Sequence, residues 1–168
     1  MNHRRLFGSW LAVVLLTFAG AAVAAADGLK FNAVLTGEQE VPPVESSAVA
    51  RALALFDSGL TRVHVRIDVR GPLIVAAAHF HCGRAGVNGP VVFGILNPGP
   101  LLEVGDHTRV TLTNDDFTGV DCVDVVGRPV NNIAALALAM RDGLVYLNLH
   151  SPTAPTGEIR GQMLEIGR

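Results

Sequence analysis

Residues 61–70 read Thr61-Arg62-Val63-His64-Val65-Arg66-Ile67-Asp68-Val69-Arg70, an unbroken alternation of apolar and polar side chains after the first position. Successive side chains of a strand point to opposite faces, so Val63, Val65, Ile67 and Val69 share a core face. Arg62, His64, Arg66, Asp68 and Arg70 share a wet one. Working outward, the turns Asp57-Ser58-Gly59 and Gly71-Pro72 bound this strand, and extended stretches of the same kind recur over 30–36, 48–56, 73–81, 90–96, 108–113, 144–150 and 158–166. Residues 37–47 read as a loop, because Pro42-Pro43 cannot donate ladder hydrogen bonds. Asn114-Asp115-Asp116-Phe117 reads as a capped single turn, and the Ala- and Leu-rich residues 133–141 as one short helix capped by Asn131 or Asn132 and stopped by Asp142-Gly143. The predicted fold is all-β: a single Greek-key-like antiparallel β-sandwich or barrel of about eight strands with one short helix.

The chain has 168 residues, 49% hydrophobic and 17% charged, which fits one globular domain and excludes a disordered or collagen-like polymer. Much of the apolar content lies at the N-terminus. Met1 to Arg5 is basic, residues 6–20 are almost wholly apolar, and Ala24-Ala25-Ala26 offers the small residues that signal peptidase cleaves after. Residues 1–26 are therefore expected to be a signal peptide, with an uncleaved anchor as the alternative, and residues 27–168 the mature domain. That places the protein in the periplasm or outside the cell, with no membrane contact after cleavage.

Removing Arg4 and Arg5 from the 13 basic residues leaves 11 against 15 acidic ones, a formal charge of −4. Lys30 is the only lysine, the arginines are scattered singly, and the one tryptophan sits in the leader, so no basic stripe interleaved with aromatics invites nucleic acid. Secretion makes Cys82 and Cys122 a disulfide candidate, since an oxidising compartment closes a lone pair of thiols. The competing role for Cys82 is a metal thiolate, kept open by His79 and His81 beside it.

His79 and His81 lie one residue apart in an extended stretch, so both imidazoles share a face at a spacing that suits two ligands on one metal. By alternation His150 shares a face with Tyr146 and Asn148, away from Val145, Leu147 and Leu149. Three neutral imidazoles suit copper or zinc better than the oxygen-seeking calcium and magnesium. Structural histidines that hold loops are the alternative. His64 and His107 read as solvated. No Gly-x-Ser-x-Gly elbow, phosphate loop or dinucleotide glycine pattern is present.

Four blocks occur in order: Leu35-Thr36-Gly37-Glu38-Gln39-Glu40-Val41-Pro42-Pro43; His79-Phe80-His81-Cys82-Gly83 running on to Asn88-Gly89-Pro90-Val91-Val92-Phe93; Tyr146-Leu147-Asn148-Leu149-His150-Ser151; and Gly157-Glu158-Ile159-Arg160-Gly161-Gln162. Together they resemble the CHRD domain, named after chordin. The resemblance implies a secreted β-sandwich and transfers fold better than function. Cys82 stands where glycine is frequent in that pattern, and with Cys122 it points to a tie between its loop and the segment before the helix.

A more distant resemblance, in order and spacing alone, is to copper-zinc superoxide dismutases. It implies copper ligands at His79, His81 and His150 and an anion-guiding arginine at Arg160. The zinc-loop ligands are missing and no cysteine stands near Arg160, so neither a zinc site nor that family's disulfide is implied. The expected function is a secreted copper-binding protein with superoxide dismutase-like activity, superoxide being its small-anion partner. The alternatives are a non-enzymatic binding or structural module of the cell envelope, and copper storage or delivery. For Arg160 the alternative is a salt bridge with Glu158.

Overall fold

The computed structural model describes residues 28–96, 107–120 and 122–167. The expected leader and its cleavage point lie outside the described residues. Among the described residues nine strands form one sheet: β1 (Lys30–Thr36), β2 (Val49–Phe56), β3 (Val63–Arg70), β4 (Ala77–Cys82), β5 (Val91–Leu96), β6 (His107–Leu112), β7 (Val145–His150), β8 (Ile159–Gln162) and β9 (Leu164–Glu165). Their order is β5-β4-β7-β8-β1-β2-β3-β6, with β9 paired to β1, and the sheet curls into a nearly closed antiparallel barrel. The all-β expectation therefore holds. The segment after β6 narrows the gap between the edge strands, where Phe117 bridges Phe93 and the Thr118 amide donates to the Val92 carbonyl at 3.0 Å.

Alternation builds the interior. Val63, Val65, Ile67 and Val69 of β3 are buried with Ala50, Ala52 and Ala54 of β2 and Phe31, Ala33 and Leu35 of β1. Phe80, Leu147 and Leu149 continue that core on the far side. Each fully buried large side chain contributes about 1.5–3 kcal/mol relative to exposure. The helix α2 (Ile133–Arg141) packs Ile133, Leu136, Ala137 and Met140 inward, and the Asn132 side chain caps it by accepting from the Ala135 amide at 2.8 Å. Asn114 Oδ1 takes the Ile133 amide, joining the capped turn at 114–116 to the helix start.

Three boundaries differ from the alternation. Leu73 and Val75 are buried but lie before β4, where pairing is reduced to a single bridge at Val75 and the Ala76 amide's 2.8 Å bond to the His150 carbonyl. The stretch expected as one strand over 158–166 divides, because the Met163 amide bonds Val145 O and β9 then crosses to pair with β1. A second helical turn, α1 (Val123–Val126), also forms, ended by Gly127 in the left-handed conformation. It follows directly from the Cys82–Cys122 disulfide, whose Cα atoms are 6.1 Å apart. Closing a loop of 40 residues restricts the unfolded chain by about 4 kcal/mol in the chain-entropy model. Cys82 is fully buried on the core side of β4, which removes it as a metal thiolate. No helix among the described residues is long and apolar enough to cross a membrane.

Candidate metal centre

Strand β4 sends Phe80 and Cys82 into the core and His79 and His81 to the opposite face. β7 pairs with it antiparallel, setting Ala77 opposite His150, His79 opposite Asn148 and His81 opposite Tyr146. That register places His150 diagonally across from His79, within reach of a long side chain. The ring centroids of His79 and His150 are 4.8 Å apart, those of His79 and His81 5.9 Å, and those of His81 and His150 6.0 Å. One ring nitrogen from each histidine lies within 4.8 Å of the other two. Two nitrogens bound to one ion at about 2.1 Å are at most about 4.2 Å apart, so the three imidazoles need only a small closing movement to share a metal.

Backbone carbonyls orient two of the rings. The Nδ1 of His81 donates to Gly89 O at 3.0 Å and that of His150 to Pro155 O at 3.1 Å. With Nδ1 carrying the proton, the lone pair of each ring is on Nε2, the arrangement in which a second hydrogen bond fixes a ligating imidazole. His81 Nε2 is buried and has no hydrogen-bond partner among the described residues. His150 Nε2 lies 3.0 Å from His79 Nδ1. Burial lowers the His81 pKa from 6.5 to about 4 against the Gly89 hydrogen bond, with His79, His150 and Arg160 adding repulsion. His150 is lowered as well, by burial and then by His79. Both rings are therefore neutral at pH 7, the form that binds a metal. An orphaned buried acceptor facing two further imidazoles fits a borderline or soft cation better than a hard one.

Gly89 is required where it stands, because a Cβ there would overlap the Cys82 carbonyl oxygen. Its own carbonyl can then reach His81, and its amide donates to the Tyr146 hydroxyl at 3.2 Å. Tyr146 stacks on His81 at 4.9 Å between centroids, with planes 14° apart. The Arg160 guanidinium lies 3.8 Å from the centre of the same Tyr146 ring.

Arg160 shares the sheet face of the histidines one strand further on, opposite Asn148. It is 2% exposed. Its guanidinium donates to Asn88 Oδ1 at 3.0 Å, Val87 O at 3.2 Å and Arg84 O at 3.5 Å, anchoring the loop after β4. Glu158 instead accepts from Ser46 Oγ at 2.9 Å. Exposed His64 pairs with Thr111 Oγ1 on the far side of the barrel, and the backbone of His107 opens β6.

Two residues given no role from sequence belong to this site. Glu40, 6% exposed, ends the 3-10 turn after β1 and accepts from Asn148 Nδ2 at 3.4 Å, while Glu40 Oε1 and Asn148 Oδ1 have no partner. Burial raises the Glu40 pKa to about 7, against the attraction of Arg160 and the Asn148 hydrogen bond. Gly157, at φ +136°, lies against both: a Cβ there would sit 2.6 Å from Asn148 Nδ2 and 3.0 Å from Glu40 Oε1. These groups and His81 line a cavity of about 440 Å³ beside the histidines. Alternation had put Asn148 on the His150 face, a usable signal, whereas Glu40 is 108 residues away in sequence and carried none.

Neither a curated protein nor a solved structure matches the chain. The family model of the CHRD domain matches residues 31–163, which takes in all three histidines, the disulfide, Glu40 and Arg160, and the chain belongs to the CHRD-domain family.

Proposed function

We propose that this CHRD-family chain is a secreted copper protein whose centre is His79, His81 and His150 and whose reaction is the dismutation of superoxide. The observation that carries the reading is the buried His81 Nε2, left without a hydrogen-bond partner beside two other imidazoles. A buried acceptor without a partner costs about 1–3 kcal/mol, a cost that a coordinated ion removes. Secretion rests on the basic and apolar N-terminus and agrees with the disulfide. A bound copper ion would supply the one-electron steps that side chains do not perform, oxidising one superoxide to oxygen and reducing another, with two protons, to hydrogen peroxide. The chain's own residues hold the ligand rings, through Gly89 and Pro155, and leave a cavity on the His81 side large enough for a small oxidant. Arg160 acts through its fixed positive charge behind Tyr146, its donors being taken by the 84–88 loop.

One observation favours a second reading. The 3.0 Å contact between His79 Nδ1 and His150 Nε2 is a hydrogen-bond distance, which a metal-free module would use to tie β4 to β7. Copper storage or delivery keeps the centre without turnover.

The test is to load the purified protein with Cu(II), remove excess metal, and measure metal content and electron paramagnetic resonance beside His81→Ala. One copper per chain with nitrogen coupling, lost in the variant, supports the centre, and superoxide consumption by the loaded protein then separates turnover from storage. Equal copper retention in His81→Ala counts against the centre and favours the module.

A further inference from the structure

Arginines that are scattered in sequence are gathered by the fold. Arg51 of β2, Arg66 and Arg70 of β3, and Arg109 of β6 are all exposed and all on the outward side of three adjacent strands, with exposed Arg62 just before β3 beside Asp57. Asp68 is the only acid that β2, β3 and β6 contribute, and it holds Arg66 at 2.9 Å. Arg51, Arg70 and Arg109 have no side-chain partner among the described residues. Arg66 and Arg109 stand directly opposite one another in the β3–β6 register, a like-charge arrangement that works against sheet stability. All this occurs in a chain whose formal charge is −2 overall.

The face is also apolar in part. Leu53 and Leu55, both half-buried, point outward beside the arginines and floor a depression of about 370 Å³ that Arg66, Arg109, His64 and Thr111 rim. Val49 on the same strand is 36% exposed. A soluble polyanion is matched by charge alone. An arginine rim over an apolar floor matches a phosphate with hydrocarbon directly beneath it, since guanidinium binds phosphate through paired N–H donors and apolar side chains settle at the acyl boundary.

We propose that the outward face of β2, β3 and β6 docks on an anionic phospholipid surface, with headgroup phosphates on Arg66 and Arg109 and the first methylenes on Leu53 and Leu55. The protein is then peripheral to a membrane after secretion, which reverses the expectation of no membrane contact after cleavage, and the contact is independent of the histidine centre on the other side of the barrel.

The test is sedimentation of the purified protein with vesicles of phosphatidylcholine alone and of phosphatidylcholine mixed with phosphatidylglycerol, over a series of salt concentrations. Binding is expected with the anionic vesicles only, weakening as salt rises. Each surface charge near an anionic leaflet changes partitioning about fivefold, so Arg66→Glu with Arg109→Glu, a change of about four unit charges, lowers it by more than about a hundredfold. Arg66→Gln with Arg109→Gln, with a circular dichroism spectrum compared to wild type, gives a smaller loss and guards against misfolding. Leu53→Ser with Leu55→Ser is expected to remove the binding that survives at high salt. The proposal is overturned if anionic vesicles capture no protein at low salt, if the arginine variants bind as wild type does, or if dextran sulfate binds the protein while the vesicles do not.

Discussion

The two outer faces of the barrel are written in the same alternating code and end in opposite conditions. On β2, β3 and β6 the outward Arg51, Arg66 and Arg109 are exposed. On β4, β7 and β8 the outward His81, Asn148, His150 and Arg160 are 8%, 3%, 8% and 2% exposed. The difference lies in the covering segments. Glu40 reaches over Asn148, the 84–89 loop meets Arg160 and His81, and Pro155 meets His150. Period two specifies which face a side chain takes but not whether that face stays wet. A covered polar face must satisfy its groups internally, and among the described residues His81 Nε2, Glu40 Oε1, Asn148 Oδ1 and Gln162 Oε1 are places where this one does not.

The sharpest way to break the comparison is Arg160→Met. On the covered face this leaves the carbonyls of Val87 and Arg84 and the Asn88 side chain without their donor, and removes the cation nearest Glu40. Leaving such acceptors without their donor costs about 1–3 kcal/mol. Denaturant unfolding at neutral pH measures it. A loss below about 1 kcal/mol would mean that Arg160 behaves as a surface residue and that the two faces are energetically alike.

The next effect is a pH dependence, read on the metal-free protein. His81 falls from 6.5 to about 4 on folding, so the unfolded chain binds the extra proton between those values. Its contribution is complete above pH 6.5 and is lost as pH falls towards 4. Glu40 rises from 4.5 to about 7, so its ionisation costs stability above pH 7 and that cost fades as pH falls to 4.5. Between pH 4.5 and 6.5 the Glu40 slope opposes those of His81 and His150, and wild-type stability is expected to rise with pH less steeply than it does without Glu40. In Glu40→Gln the histidine slopes are unopposed, each about 1.4 kcal/mol per pH unit at most. The variant should be more stable than wild type at pH 8 and equal to it near pH 4.5. A Glu40→Gln protein whose melting temperature follows wild type at every pH would show that Glu40 is hydrated and outside the covered network.

The sequence was readable to different depths in these two regions. Residues 61–70 and their neighbours carry period two strongly enough to place β2, β3 and the core face, because one side of those strands is water and the other is hydrocarbon. The cap at Asn132 was legible for a local reason, a side chain three residues before a helical amide that it accepts from. The paired histidines of β4 were legible as sharing a face. Their meeting with His150 depends on the register that sets Ala77 against His150, which no local pattern encodes. Glu40 was hidden more completely, since its role requires the loop after β1 to fold across β7. The arginine face was legible in part: alternation puts Arg62, Arg66 and Arg70 on one side of β3, but Arg51 and Arg109 join them only when β2 and β6 pair with it.

The smallest expected effect belongs to the open face and is the most exacting for the comparison. Arg109→Ala removes an exposed side chain with no partner among the described residues and relieves the like-charge pairing with Arg66. The stability change should lie within about 0.5 kcal/mol of zero and lean towards stabilisation at low salt, an advantage that shrinks as salt is added. A urea titration at two ionic strengths measures both. Destabilisation above about 1 kcal/mol would mean that Arg109 is held in a contact of its own, and the face would then be a built part of the fold like its counterpart around Arg160. A near-zero result does more than keep the faces distinct. It means that any loss of vesicle binding in Arg109 variants reads the surface contact itself, because the fold has not changed beneath it.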